Sequence, residues 1–296
     1  MFKSRILASC TLVLLVLPGL ALPSFALADG KTALTYGYDQ NGYRSFAFKG
    51  DIDLSSDVLL HLDHLHAESS GIVSLRQSGI GLTAYATDWL SGHYRYSETN
   101  DTVFLVRGNE GDLSVALNSL WNSELRTTLG GGYAGFIYAN ANPPDTGGGR
   151  SLSQSRRSYS LSQDLTSSLG AYVSFDQYAY EVDLVDLIIL LIRRARIAPI
   201  SAGAFLSFPD ITRAAGLTWK ATDKLTFDLS SSKTTTILEQ SLISSRLGVD
   251  YQLSDTWNAG VAVTRSTTSD LLRNTGVVVQ PATDTTFNEV RASWYF

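Results

Sequence analysis

Beyond its first thirty residues the chain alternates apolar and polar positions with a period of two, in segments of about ten residues separated by turn-forming clusters. Leu34, Tyr36 and Tyr38 share one face of such a segment, and Phe46, Phe48 and Ile52 share a face of the next, with Asn41-Gly42 as the hairpin signal between them. Leu113, Val115 and Leu117 alternate with Ser114, Ala116 and Asn118. Leu169, Ala171, Val173 and Phe175 alternate with Gly170, Tyr172, Ser174 and Asp176, and Leu247, Val249, Tyr251 and Leu253 alternate with Arg246, Gly248, Asp250 and Gln252. Trp257, Ala259, Val261 and Val263 repeat the pattern, as do Leu217 with Trp219 and Leu225 with Phe227 and Leu229. Strands apolar on one side and polar on the other suit a closed sheet with lipid outside and water inside.

The turns carry a phase of their own. Thr87–Leu90, Ser162–Thr166, Ala221–Lys224, Ser254–Trp257, Ser119–Ser123 and Asp53–Asp57 are short and polar, and several lie beside Trp. Trp next to a tight turn is expected where strands leave an apolar slab. Six such turns, with both chain ends on the same side, predict seven hairpins and about 14 antiparallel strands of a transmembrane up-and-down β-barrel, an all-β fold. Twelve to 16 strands are compatible, because the stretch from Trp89 to Trp121 offers two hairpin tips, Glu98–Asp101 or Asn109–Asp112. Longer connections, near Asn140–Leu152, Glu181–Asp210 and Ser269–Thr283, fall on the opposite, outer side.

Residues 1–28 read as a secretory signal peptide: Lys3 and Arg5, an apolar stretch from Ile6 to Leu17, then Ala26-Leu27-Ala28 as a small-x-small cleavage site. The only cysteine, Cys10, lies within it, so residues 29–296, the expected barrel domain, hold no disulfide or thiolate metal site. Removing the leader moves the formal charge from −5 to about −7, with no basic stripe, which argues against a nucleic-acid partner. After the leader no run of about 18 apolar residues occurs, which excludes a helical membrane protein.

The final segment alternates without a break: Val290, Ala292, Trp294 and Phe296 on one face, Glu289, Arg291 and Ser293 on the other. It resembles the C-terminal recognition strand of Gram-negative outer-membrane β-barrel proteins, which ends in Phe. The resemblance is porin-like at the level of architecture. It implies the outer membrane as location, lipid and lipopolysaccharide as surroundings, and the barrel-assembly machinery as a partner through the strand ending in Phe296.

Some segments depart from simple alternation. Leu184–Arg196 has no alternation: Leu187–Ile192 is apolar throughout and is followed by Arg193, Arg194 and Arg196. It reads as a short helical or plug-like segment in an outer loop, either narrowing the lumen beside an anion-attracting cluster, forming a greasy substrate site, or packing over the rim. In His61-Leu62-Asp63-His64-Leu65-His66-Ala67-Glu68 the apolar residues change parity, which a β-bulge near Asp63-His64 would reconcile. His61, His66 and Glu68 would then face the lumen as weak candidates for a divalent metal, with ordinary lumen lining as the simpler reading. Lys49, Asp51, Arg76, Arg126, Arg156, Lys220, Asp228, Arg246, Asp250, Glu289 and Arg291 fall on expected inward positions, of which Arg246, Asp250, Glu289 and Arg291, with Arg193–Arg196, are the selectivity candidates. Such charges either set a transverse field in an open pore or close a narrow one with a ladder of salt bridges. No spacing around His93, Ser91 and Ser97 resembles a hydrolase motif, and Gly130-Gly131-Gly132 sits inside a strand pattern without the helix of a phosphate loop.

The sequence therefore predicts an outer-membrane channel or porin-like transporter for passive passage of small solutes or ions, not an enzyme, and with no cofactor. The alternative is a non-conducting barrel serving as an adhesin or as the membrane component of a surface complex.

Overall fold

The computed structural model describes residues 29–69, 73–100, 104–118, 124–140, 152–181, 208–237, 239–272, 278–280 and 282–296. Residues 1–28, where a leader is expected, and the Leu184–Arg196 segment lie outside these residues.

Among the described residues there are sixteen strands: β1 (Gly30–Asp39), β2 (Arg44–Ser55), β3 (Val58–Ser69), β4 (Val73–Thr87), β5 (Leu90–Asn100), β6 (Phe104–Asn118), β7 (Arg126–Asn140), β8 (Leu152–Asp164), β9 (Leu169–Tyr180), β10 (Pro209–Lys220), β11 (Leu225–Thr236), β12 (Ser241–Gln252), β13 (Trp257–Thr268), β14 (Leu271–Leu272), β15 (Val278–Gln280) and β16 (Thr283–Tyr295). Fourteen of them close into one antiparallel barrel, each paired with its neighbour in sequence, and β16 closes the ring against β1. The short β14–β15 pair is a separate hairpin between β13 and β16. At the seam Gly30 and Phe296 exchange backbone hydrogen bonds of 2.9 and 3.0 Å. Full closure leaves no strand edge unpaired, the condition for a sheet to cross hydrocarbon.

The apolar residues of the alternating pattern point outward. Leu113, Leu129, Tyr133, Leu229, Leu247 and Val261 are among the large hydrophobic side chains left exposed, as expected when lipid and not a protein core is their solvent. Near the chain ends Trp257 stacks on Trp294 at 6.1 Å and Trp294 meets Phe296 at 5.2 Å, forming part of an aromatic girdle. The first external hairpin turns at Gly42, whose φ of 86° only glycine takes without strain. There the Asp39 carboxylate accepts hydrogen bonds from the backbone N–H groups of Asn41 and Tyr43.

Of the two hairpin tips open between β5 and β6, the one after Asn100 is formed, so Asn109–Asp112 is mid-strand and the barrel has the expected 14 strands. Two sequence expectations change. No bulge occurs near Asp63-His64: β3 pairs without a shift from Glu68 to Leu59 with β2, and along its whole length with β4. His64 and His66 therefore face outward with Leu60 and Leu62, while Leu65 and Ala67 face inward. Arg76 also faces outward, sharing its side of β4 with the exposed Ile80 and Leu82. The cause is common to both. A parity change along a barrel strand marks the height at which it leaves the apolar slab, above which polar side chains suit the outer face and small apolar ones suit the inner face.

Candidate functional site

The inner wall carries two charged clusters. In the first, Arg95 on β5 bonds the Asp63 carboxylate on β3 through Nε and Nη2, at 3.0 and 2.8 Å, and Glu110 on β6 through Nη1 at 2.9 Å. Arg156 on β8 reaches the other oxygen of Glu110 at 2.7 Å. Glycine makes this possible at Gly79, where a Cβ would collide with the Asp63 carboxylate and lie 2.7 Å from Arg95 Nη2. Gly132 similarly clears room for the Asp112 carboxylate opposite it. Gly130 and Gly132 of the β7 triplet thus seat the lumen side chains Ser160 and Asp112.

Toward the outer mouth this wall becomes aromatic. Tyr138 donates to Gln154 Oε1 at 2.8 Å, Gln154 Nε2 donates to the Tyr180 hydroxyl at 2.5 Å, and Tyr180 donates to the Pro209 carbonyl at 2.6 Å. Phe208, almost fully buried, packs on both tyrosine rings at 5.8 and 6.1 Å. Arg95, Glu110 and Arg156, with Phe136, Tyr138 and Tyr178, line a hollow of about 470 Å³.

The second cluster joins residues singled out from the sequence. Arg246 on β12 reaches Glu289 on β16 at 2.8 Å, and Arg291 on β16 is ion-paired with Asp250 on β12, both contacts crossing over β13. Arg246, Glu289 and Arg291, with Lys49, line a smaller hollow of about 180 Å³.

Each of these lumen ion pairs spans one or two strands along its own wall. β6, carrying Glu110, and β13, crossed by the second cluster, are seven strands apart in either direction around the ring, so the clusters face each other. Fourteen strands spaced ~4.8 Å apart and tilted ~40° give a backbone-to-backbone width of about 28 Å. An arginine side chain reaches about 7 Å from its Cα by standard bond lengths. Opposed side chains therefore cannot meet, and the described pairs do not form a ladder that shuts the lumen.

The metal candidates are not brought together. His61 faces the lumen, where Nδ1 meets Asp51 at 2.8 Å and Nε2 meets Thr83 Oγ1 at 2.7 Å. His66 and Glu68 bond each other at 2.9 Å on the outer face, so the wall separates them from His61. The lumen neighbour of His61 is instead His93, with ring centroids 5.1 Å apart and Thr83 Oγ1 between them. Among the described residues no group of three or more potential ligands is placed to hold a metal. Arg193, Arg194 and Arg196 lie outside the described residues. Sequence reasoning placed Arg156 on the lumen wall but missed the Arg95–Glu110 hub, because its partners are 32, 15 and 46 residues apart and only register joins them.

No protein-family model matches the sequence, and no curated protein matches it as a relative. Solved structures do match. The CymD monoaromatic hydrocarbon channel is similar at a TM-score of 0.54 and 6% identity, over 91% of this chain and 88% of that one. The KdgM porin aligns at 0.45 and 6%, over 90% and 99%, and an anion-selective porin from Comamonas acidovorans at 0.46 and 10%, over 91% and 98%. At such identities the likeness is one of fold: the chain is a closed 14-stranded antiparallel β-barrel, an architecture similar to that of the CymD channel.

Proposed function

We propose that the barrel is a passive outer-membrane channel for small polar solutes or ions. The observation that carries this reading is the direction of the lumen ion pairs. They run along the wall, each cluster pairing its own cations and anions on one side of the bore, and none of the described pairs crosses the bore as a seal would. The clusters keep part of their surface open, with Arg246 at 35% and Arg291 at 38% exposure, so a permeating solute meets charged groups that replace its hydration. Lowering the barrier to crossing requires no covalent chemistry, and this reading assigns no catalytic residue and no cofactor.

Residues 1–28 fit a leader removed during export, and the strand ending in Phe296 fits the segment that engages the assembly machinery. A surface-binding barrel without conductance would require a closed bore, which the wall-parallel ion pairs do not supply.

The test is single-channel recording of refolded residues 29–296 in a planar bilayer. Steady conductance supports the channel, and a reversal potential that responds to substitution of Asp250 or Glu289 assigns selectivity to the second cluster. Silence from protein whose folding is verified by heat-modifiable gel mobility overturns the reading.

A further inference from the structure

The outward face of the barrel has a one-sided charge distribution. Seven lysines and arginines of the barrel strands point away from the lumen, and all of them lie toward the end remote from the chain termini. Placing such a cation at the bilayer midplane costs about 2–4 kcal/mol, falling to about 0–1 at the interface, so this end marks the outer interface. Three of the seven stand beside an acid: Arg107 is paired with Glu98, Arg265 with Asp284, and Arg44 lies opposite Glu68 in the strand register.

On β8 to β11 the situation differs. Arg213 and Lys233 are direct cross-strand partners, both exposed, and neither meets a carboxylate among the described residues. Like charges placed opposite each other in a sheet repel. The contact seen for Arg213 is the ring of Phe175, 5.9 Å away, which holds its guanidinium against the barrel surface. Arg157, also exposed and outward, pairs with Gln177, the register neighbour of Ile211, two residues before Arg213. That offset of two strands and two residues puts Arg157 about 12 Å from Arg213. Below the cations stand Leu217, Leu229 and Trp219, all exposed and apolar. An occupant of this surface therefore has anionic oxygens above and hydrocarbon below.

We propose that Arg157, Arg213 and Lys233 form a clamp for the phosphorylated headgroup of an outer-leaflet lipid. A phosphate accepts from the guanidinium and the ammonium together and turns the repulsion of a facing pair into two charge-assisted contacts, while the acyl chains lie along Leu217 and Leu229. The clamp depends on the barrel spanning the membrane and is independent of conductance.

The experiment titrates the refolded full barrel domain, in neutral detergent, with lipopolysaccharide, with the same lipid after enzymatic dephosphorylation, and with inorganic phosphate, reading the shift in thermal unfolding. Phosphorylated lipid is expected to raise the unfolding temperature and the other two to do so far less. The R213Q/K233Q variant should bind phosphorylated lipid roughly thirtyfold more weakly, while R76Q, on the far side of the barrel, should bind as the parent does. The singly substituted K233Q serves should the double variant refold poorly, and it should show an intermediate loss. Equal binding of the dephosphorylated lipid, an equal shift from inorganic phosphate, or an unchanged shift in R213Q/K233Q and K233Q would overturn the proposal.

Discussion

Arg246 and Glu289 meet at 2.8 Å over the backbone of β13, a strand to which neither belongs. Arg291 makes the reciprocal contact with Asp250, so two cations and two anions alternate within one patch of lumen wall. Part-exposed pairs of this kind contribute about 1 kcal/mol or less to stability, and their larger effect is on the field in the bore. The D250N/E289Q variant leaves both arginines without their acids. It is expected to fold as the parent does and to move the reversal potential in a salt gradient toward anion selectivity, and an unchanged reversal potential would place the selectivity elsewhere.

Arg95 is more enclosed, with Asp63 and Glu110 on either side and Glu110 shared with Arg156. Replacing it by Gln strands the Asp63 carboxylate and leaves Glu110 to Arg156 alone. The expected outcome is the opposite change, toward cations, with a loss of about 1–3 kcal/mol from charged hydrogen bonds that are only partly screened. A lower urea midpoint at unchanged slope, measured in lipid vesicles, checks the stability side of this prediction.

Gly79 permits a separation of geometry from charge. A side chain there displaces the Asp63–Arg95 contact without altering any charge. Gly79→Val is therefore expected to lower stability about as R95Q does while shifting selectivity much less. Equal selectivity shifts in the two variants would show that the position of Arg95, and not its charge, sets the field.

The faces of these strands were legible in the sequence, and their register was not. Period-two alternation fixes which way Arg246, Asp250, Glu289 and Arg291 point, because one face of each strand must suit lipid. It does not say that residue 250 lies level with residue 291, since that depends on every hairpin between them. The same gap hid the Arg95–Glu110–Arg156 hub. The misreading of His61–Glu68 arose differently, from treating all apolar side chains as lipid-facing. Ala67, at 1% exposure, is packed on the inner side, and His64 bonds Ser78 on the outer one. Height within the membrane, which local periodicity does not encode, decides both.

The seam between β1 and β16 yields the last prediction. Phe296 contributes its backbone to two hydrogen bonds with Gly30 and its ring to Trp294, and the ring also lies where a Gly30 side chain would stand. Deleting Phe296 removes both backbone contacts and exposes the end of a sheet that must be closed to sit in hydrocarbon, whereas Phe296→Ala removes only the ring. Each hydrogen bond is worth about 1 kcal/mol, and the aromatic contact adds about 0.5–1.5 kcal/mol beyond its area. Unfolding temperature by heat-modifiable mobility should therefore fall in the order parent, Phe296→Ala, deletion, with refolding into vesicles slowed most in the deletion. If the alanine variant and the deletion unfold together, the ring contact with Trp294, and not the backbone seam, is what holds the barrel closed at this end.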